Sequence, residues 1–260
     1  MSVKIHPTAI VEKSAILHDN VEIGAYAVVG PNVQIGENTI IAHHASVVGH
    51  TTIGKNNHIY PFASIGEAPQ DKKYKGQPTK LEIGDHNTIR EFCTLNIGTV
   101  DGHGVTKLGS HNWIMAYSHI AHDCVVGDNT IFANSVALGG HVIIKDHVIL
   151  GGHSVVHQFC VIGEHVMVAG TTAVAQDVPP YVMASGYRAE PKGINTEGLK
   201  RRGFTMQQIE NIRHAYKILY RNGLSYNEAR SYIKELAYEQ PELKLFVQFF
   251  DESTRGIIRS

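Results

Sequence analysis

Charge is scarce in this 260-residue chain: 18% of its residues are Asp, Glu, Lys or Arg, against about a quarter in an ordinary soluble domain. Neutral residues must therefore fill many surface positions. The charges also nearly cancel, to −1 with neutral histidines, which excludes a global attraction to nucleic acid or to a membrane. No apolar run approaches the ~20 residues of a membrane span. Met1 to Ile10 lack the basic and apolar regions of a secretory leader, so a cytoplasmic protein is expected. There are only three cysteines, Cys93, Cys124 and Cys160, and no metal-ligand spacing among them.

What is present is a repeat of six. Stepping from Ile5 by six residues meets Val11, Leu17, Ile23, Val29, Ile35, Ile41, Val47, Ile53, Ile59 and Ile65. The series resumes at Ile83, Ile89 and Leu95, slips by one residue, and runs from Leu108 to Val174 with Phe132 as its one non-aliphatic member. Four residues after each aliphatic position stands a small or β-branched residue, as at Ala9, Ala15, Val21, Ala27 and Val33. Inward positions two apart across the repeat boundary fit a short strand, not a 3.6-residue helix. Glycine often follows the aliphatic residue, as at Gly24, Gly30, Gly36 and Gly54, and is expected to serve the turns. Hexapeptide periodicity of this kind specifies a parallel β-helix of three strands per coil.

Two stretches break the repeat, near 67–82 and near 99–107. A solenoid does not need them, which makes them candidate functional loops. After Asp177-Val178-Pro179-Pro180 the pattern ends and helices are expected. Thr205 to Gln208 and Ser225 to Glu228 read as capping boxes, and Pro241 can begin a further helix. The division expected is 1–190 for the solenoid and 191–260 for a small helical domain that covers its open end.

Histidine is used 17 times. Many copies stand three residues after an aliphatic position, where Asn is the alternative, and both types tolerate positive φ. His44, His50, His86, His111, His147, His153 and His165 are therefore turn residues. His122, His141 and His157 differ in position but fall on one column of turns in successive coils, with His119 just before it. Stacking places such backbones about 5 to 10 Å apart. A row of imidazoles can ligate a metal or supply a base near neutral pH. Asp123 follows His122 and could fix its tautomer. The three cysteines fall on inward positions and read as core.

At this point particular motifs carry a resemblance. His119-Ile120-Ala121-His122-Asp123-Cys124, Gly139-Gly140-His141, His157-Gln158-Phe159-Cys160, the loop Gln70 to Gly76, the run Asn195 to Phe204 and the ending Ser253-Thr254-Arg255-Gly256 are together similar to the UDP-N-acetylglucosamine O-acyltransferase family. These are hexapeptide-repeat transferases that begin lipid A synthesis. The resemblance covers essentially the whole chain. It implies a left-handed coil, a homotrimer with sites between solenoids, and transfer of a 3-hydroxyacyl chain from the phosphopantetheine of acyl carrier protein, with no other cofactor and no metal. It implies His122 as general base, Asp123 as its orienting partner and Gly140 as oxyanion donor. It also implies substrate contacts at Gln70, Asp71, Lys73, His119, His141, His157 and Gln158. Gly170 would end the acyl groove. Asn195, Glu197, Arg201 and Arg202 would meet the nucleotide, the phosphopantetheine or the carrier protein, and Lys200 joins the two arginines in a basic patch suited to acidic acyl carrier protein.

One departure from the family pattern stands out. Where many members carry His-Arg-Gly, this chain has Asn96-Ile97-Gly98. Loss of a guanidinium near the sugar would admit a 3-amino acceptor, giving an amide. Other readings are a metalloenzyme like the γ-class carbonic anhydrases, the related acyltransferase that acts later on the glucosamine nitrogen, and a non-catalytic solenoid.

Overall fold

The computed structural model describes residues 2–259. Among these residues the short strands stack into three sheets of eleven, nine and eight strands, which form the faces of a triangular prism. The first face begins with Lys4–Ile5 and Glu22–Ile23, the second with Ile10–Val11 and Val28–Val29, the third with Ile16–Leu17 and Val33–Ile35. Pairing is parallel between residues 18 apart, as in Ile23↔Ile41 and Ile120↔Leu138. The fold is thus a left-handed parallel β-helix followed by helices.

The aliphatic series fills the prism from Ile23 onward, and Ile35, Ile41, Ile59 and Leu95 have no exposed surface. The first coil departs from the pattern. Ile5 is about half exposed and Val11 and Leu17 are only partly buried, because no coil lies beneath them among the described residues. One inward column also departs from the small or β-branched expectation: Asn57, Asn87 and Asn112 are buried. Each amide hands its hydrogen bonds to the coil above, with Asn87 Nδ2 donating to Asn57 Oδ1 at 3.0 Å and Thr130 Oγ1 to Asn112 Oδ1 at 2.7 Å. A polar ladder is tolerated in the core because nearly every group in it is paired.

The corners correct the reading of glycine. The residues with φ near +60° are those three after the aliphatic position, including His44, His86, His111, His147, His153 and His165. Asn and His therefore make the turns, as expected of the histidines, except for His50, which opens a strand, His50–Ile53, while Gly49 takes the positive φ. The glycine after the aliphatic residue has another task. A Cβ on Gly24 would lie 2.5 Å from the His43 nitrogen of the next coil, so glycine there permits stacking.

Both breaks in the repeat leave at one corner, between the second and third faces. The first runs from Ser64–Glu67 to Lys80–Ile83, the second from Thr94–Asn96 to Val105–Leu108. At the other end, Glu190–Ile194 pairs antiparallel with Val182–Ser185 on the first face. Helices follow: α1 (Thr196–Arg201), α2 (Met206–Tyr220), α3 (Tyr226–Leu236), a 3-10 turn (Pro241–Leu243) and α4 (Lys244–Glu252). Both expected capping boxes are formed, at Thr205 and Ser225. The chain then returns to the solenoid. Buried Asp177 accepts from Ser253 Oγ at 2.7 Å and from the Thr254 and Arg255 amides, while its other oxygen accepts from Val161 N.

Candidate active site

The corner that carries both loops also carries the histidines. Strands His119–Ile120, Ala137–Leu138 and Val155–Val156 stack in register on the second face. Their turns therefore align His122 with Gly140 and Gln158, and Asp123 with His141 and Phe159. Asp123, His141 and Phe159 all have positive φ, which directs each side chain outward from the same point of its coil.

Asp123 is fully buried and fully engaged. Its oxygens accept from Thr99 N at 3.0 and 3.2 Å, Thr99 Oγ1 at 2.7 Å, His103 N at 2.9 Å and Gly104 N at 3.1 Å. His122 Nδ1 completes the set at 2.9 Å from Oδ2. Burial pushes the Asp123 carboxyl upward, but the bonds from Thr99 and His122 outweigh it and hold the group below the ordinary carboxylate range. An ionised Asp123 accepts from Nδ1, so Nε2 remains as the ring nitrogen of His122 without a hydrogen-bond partner among the described residues.

The His122 ring meets His141 edge to face at 5.1 Å between centroids, and His141 stacks on Phe159 at 4.6 Å. Burial lowers the His141 pKa, partly offset by Asp123. His119 lies just behind, with Nδ1 2.7 Å from Thr94 Oγ1, its pKa lowered by burial and then by His122. Gly140 is buried against the imidazole, where a Cβ would come within 2.6 Å of His122 Cε1. The Gly140 amide has no hydrogen-bond acceptor among the described residues.

An open cleft of about 690 Å³ lies on this corner. The first loop lines it with Gln70, Asp71, Lys72 and Lys73, the second with Thr99 and Asp101, and the coils with His122, His141, Gln158 and Phe159. The structure therefore gathers Gln70, Asp71, Lys73, His122, Asp123, Gly140, His141 and Gln158 in one place. Thr99, Asp101, His103 and Gly104 were not singled out from the sequence. Their signal there was the break in the repeat near 99–107, with its one-residue slip before Leu108, which marks the loop but not the residues within it.

The remaining residues lie elsewhere on the chain. His157 is on the same corner but exposed, its Nδ1 turned to the Gln158 carbonyl at 3.1 Å, and it does not line the cleft. Gly170 is on the corner between the first and second faces, stacked over Gly152. Asn195, Glu197, Arg201 and Arg202 are at the third corner. Asn195 is buried, caps α1 through Gly198 N, and donates to the His165 carbonyl at 3.0 Å. Arg202 is half-buried and donates to the His147 carbonyl at 2.9 Å. Glu197 is exposed and paired with Lys200 at 2.9 Å, which leaves less unpaired charge in the expected basic patch. Arg201 is exposed.

Asn96 and Ile97 correct an expectation. Each is 4% exposed and neither lines the cleft. Asn96 Nδ2 donates to the carbonyls of Glu67 and Ala68, and Ile97 N to the carbonyl of Glu67, so both tie down the start of the first loop. They are buried because the end of the strand Thr94–Asn96 lies against the start of the first loop, to which its last ladder pair, Glu67↔Asn96, joins it past a register shift.

His122, Asp123 and His141 offer atoms within 4.8 Å of one another, a spacing that a metal ion could bridge. The Asp123 oxygens, however, are already taken by the Thr99, His103, Gly104 and His122 donors. A metal would have to displace them. The cysteines are no nucleophiles: all three are buried, and burial pushes the Cys93 thiol up to about 11 and those of Cys124 and Cys160 to about 12.

Comparison with known proteins agrees with the residue pattern. Residues 177–258 match the family described as UDP N-acetylglucosamine O-acyltransferase, domain 2. Residues 14–49, 32–67 and 106–140 match the bacterial transferase hexapeptide repeat. Among curated proteins, the acyl-[acyl-carrier-protein]–UDP-N-acetylglucosamine O-acyltransferase of Neisseria gonorrhoeae is 59% identical over 98% of this chain and 99% of its own. That of Thiobacillus denitrificans is 56% identical over the same shares. Among solved structures, the UDP-N-acetylglucosamine acyltransferase of Francisella novicida superposes with a TM-score of 0.97 at 46% identity, covering 98% of this chain and 94% of that one. The enzyme from Acinetobacter baumannii gives 0.96 at 49%, covering 98% and 99%.

Proposed function

The chain belongs to the UDP-N-acetylglucosamine O-acyltransferase family, and from that premise we propose that it moves a 3-hydroxyacyl chain from acyl carrier protein to the 3-hydroxyl of UDP-N-acetylglucosamine, with His122 as general base. This is the first step of lipid A synthesis. The observation that carries the assignment of roles is the His122–Asp123 pair at the edge of the cleft, with Nδ1 bound at 2.9 Å and Nε2 left for substrate.

The chemistry follows from that geometry. A sugar hydroxyl is a poor nucleophile until a base accepts its proton. His122 Nε2 takes that proton, and the ionised carboxylate of Asp123 stabilises the resulting imidazolium. The oxygen attacks the thioester carbonyl of the donor, which is carried on phosphopantetheine. The negative charge that develops on the carbonyl oxygen needs a fixed donor. The Gly140 amide, beside the base and without an acceptor of its own, supplies it. Collapse breaks the carbon–sulfur bond, and the proton on His122 passes to the departing thiolate. Gln70, Asp71, Lys73, His141 and Gln158 hold the acceptor.

The site is shared between copies of the chain. Gly170, at the end of the acyl groove, and Asn195 with Arg201, at the nucleotide, flank the first face on its two corners, while His122 is on the corner opposite. One chain cannot bring these to one substrate. A neighbour that presents its first face to the His122 corner can, and that face exposes Trp113 and Ile131. A closed trimer satisfies this for every copy. A cytoplasmic setting suits an enzyme with two water-borne substrates, and among the described residues no helix is long and apolar enough to cross a membrane.

The acceptor is the 3-hydroxy sugar. The relatives are named O-acyltransferases, and the 3-amino reading loses its structural ground because Asn96 and Ile97 do not line the cleft. The test is incubation with UDP-N-acetylglucosamine and a panel of 3-hydroxyacyl carrier proteins, with products identified by mass spectrometry. An ester product is expected. Failure of the wild-type protein to form it with any donor overturns the assignment.

A further inference from the structure

The loop between Asn96 and Val105 is wrapped around one carboxylate. Apart from the first loop, the corners of the repeat turn within six residues, whereas this one adds residues that return as hydrogen-bond donors to Asp123. Thr99 gives both its amide and its hydroxyl, and His103 and Gly104 give amides. Gly102 is glycine for the same reason. Its φ is ordinary, but a Cβ there would collide with the carboxyl carbon of Asp123.

The Thr99 amide is shared by the two oxygens, at 3.2 Å from Oδ1 and 3.0 Å from Oδ2, and the other donors divide between them. Oδ1 takes the His103 and Gly104 amides, while Oδ2 takes the Thr99 hydroxyl at 2.7 Å and His122 Nδ1 at 2.9 Å. Thr99 thus holds the same oxygen that holds the base. Charge-assisted bonds of this length are the stronger kind, and a hydroxyl and an imidazole converging on one oxygen constrain its direction. Without the hydroxyl, the carboxylate could rotate between its remaining donors and take the imidazole with it.

We infer that Thr99 is a positioning residue for acyl transfer, its hydroxyl fixing the Asp123 oxygen that orients His122. This rests on the reading of His122 as general base. Thr99 also lines the cleft, so a direct contact with substrate is the competing role, and tying down the loop is another. The three roles differ in what they move.

The experiment compares Thr99→Val, Thr99→Ser, Gly102→Ala, Asp123→Asn and the double variant Thr99→Val/Asp123→Asn by steady-state kinetics, with trimer content and melting followed in parallel. A positioning role predicts that Thr99→Val lowers kcat about 10- to 100-fold, as loss of a hydrogen bond to a charged group does, with KM for both substrates within about twofold. Thr99→Ser restores turnover to within about threefold of wild type, since it keeps the hydroxyl. Gly102→Ala, which leaves Thr99 in place but presses on the carboxylate, shows the same split between kcat and KM and keeps the test open should Thr99→Val not fold. In the Asp123→Asn background, Thr99→Val costs no further activity. Wild-type kcat in Thr99→Val, a raised KM at unchanged kcat, or losses that multiply in the double variant overturn the inference. If Asp123→Asn itself keeps wild-type turnover, the general-base reading fails as well. If Asp123→Asn is slow and Thr99→Val is not, only the role of Thr99 falls.

Discussion

His122 lies where a side chain on Gly140 would have to be. The two residues occupy equivalent places in successive coils, and a Cβ on Gly140 would stand 2.6 Å from Cε1 and 2.7 Å from Nε2 of the imidazole. The glycine that offers its amide to the oxyanion is thus also the glycine that leaves room for the base. Gly140→Ala should displace the ring, and a shift near 1 Å costs about 10²-fold in rate. Steady-state kinetics should show that loss in kcat, with the circular dichroism spectrum unchanged because the backbone at Gly140 has an ordinary φ.

His122→Ala should remove most turnover while the fold persists, since the side chain is at a corner and outside the aliphatic core. A single base is worth about 10² to 10⁴ in rate. Single-turnover measurement at saturating substrates checks this. Retention of more than a tenth of wild-type chemistry would refute the role.

His165 governs a pH dependence of stability. It is buried, stacked on Tyr181 at 5.4 Å and His147 at 4.8 Å, and its Nδ1 has no partner among the described residues. Burial, then the nearby Arg202 and His147, depress its pKa from 6.5 to about 3. The folded state refuses a proton that the unfolded chain accepts, so stability is full above about pH 6.5 and falls as the pH drops toward 3. His165→Phe should flatten the melting temperature against pH across that window. Phenylalanine suits the position because Phe62, Phe92 and Phe159 share its positive φ on other coils.

Asp177 should anchor the end of the chain. Asp177→Ala orphans the Val161, Ser253, Thr254 and Arg255 donors and should cost about 2 to 4 kcal/mol. Urea denaturation measures the loss, and limited proteolysis should find a new cut near 253–256. Resistance equal to wild type would show that the tail is held by other contacts.

Gly170→Met should shorten the acyl chain that is preferred. A Cβ at Gly170 would stand 3.2 Å from the Gly152 carbonyl oxygen, a tight approach that falls short of a collision and leaves little slack for a longer side chain to withdraw. A filled groove forfeits about 0.8 kcal/mol for each methylene it turns away. Competition among donors of different length, scored by mass spectrometry, reads the shift, and an unchanged profile would place the floor elsewhere, as at the neighbouring Ala169.

The prism was legible because its rule is local: an aliphatic residue every sixth position must face inward, and nothing distant changes that. The shared corner of His122, His141 and His157 was legible for the same reason, since the period alone puts them in one column, whereas Gly140 and Gln158 were reached through the family motifs. Thr99, His103 and Gly104 were not, because a loop outside the period has no rule to say which coil it folds onto. The buried Asn57–Asn87–Asn112 ladder was missed for a related cause. An asparagine alone reads as a surface or turn residue, and only its neighbours in the stack satisfy its amide. His157 is on the expected corner but outside the cleft, because the period gives the corner and not the direction of the side chain. Asn96 and Ile97 were misplaced because the family pattern marks positions and says little about which way a departing side chain turns.

Both loops leave the prism at a single corner, and this has a consequence for how the molecule can be altered. Each coil is a step in a spiral staircase, defined by its height and its bearing about the axis. Six residues spliced into a face would turn everything after them by a third of a revolution and carry His122 to another wall. Ile65 to Ile83 spans 18 positions and Leu95 to Leu108 spans 13 where six would do, yet Leu81↔Thr51 and Ile59↔Ile89 still pair in register across the first loop and Thr94↔His119 across the second. Residues added at the corner change neither height nor bearing. The reactive edge is therefore a part of the staircase that can lengthen without turning the rest.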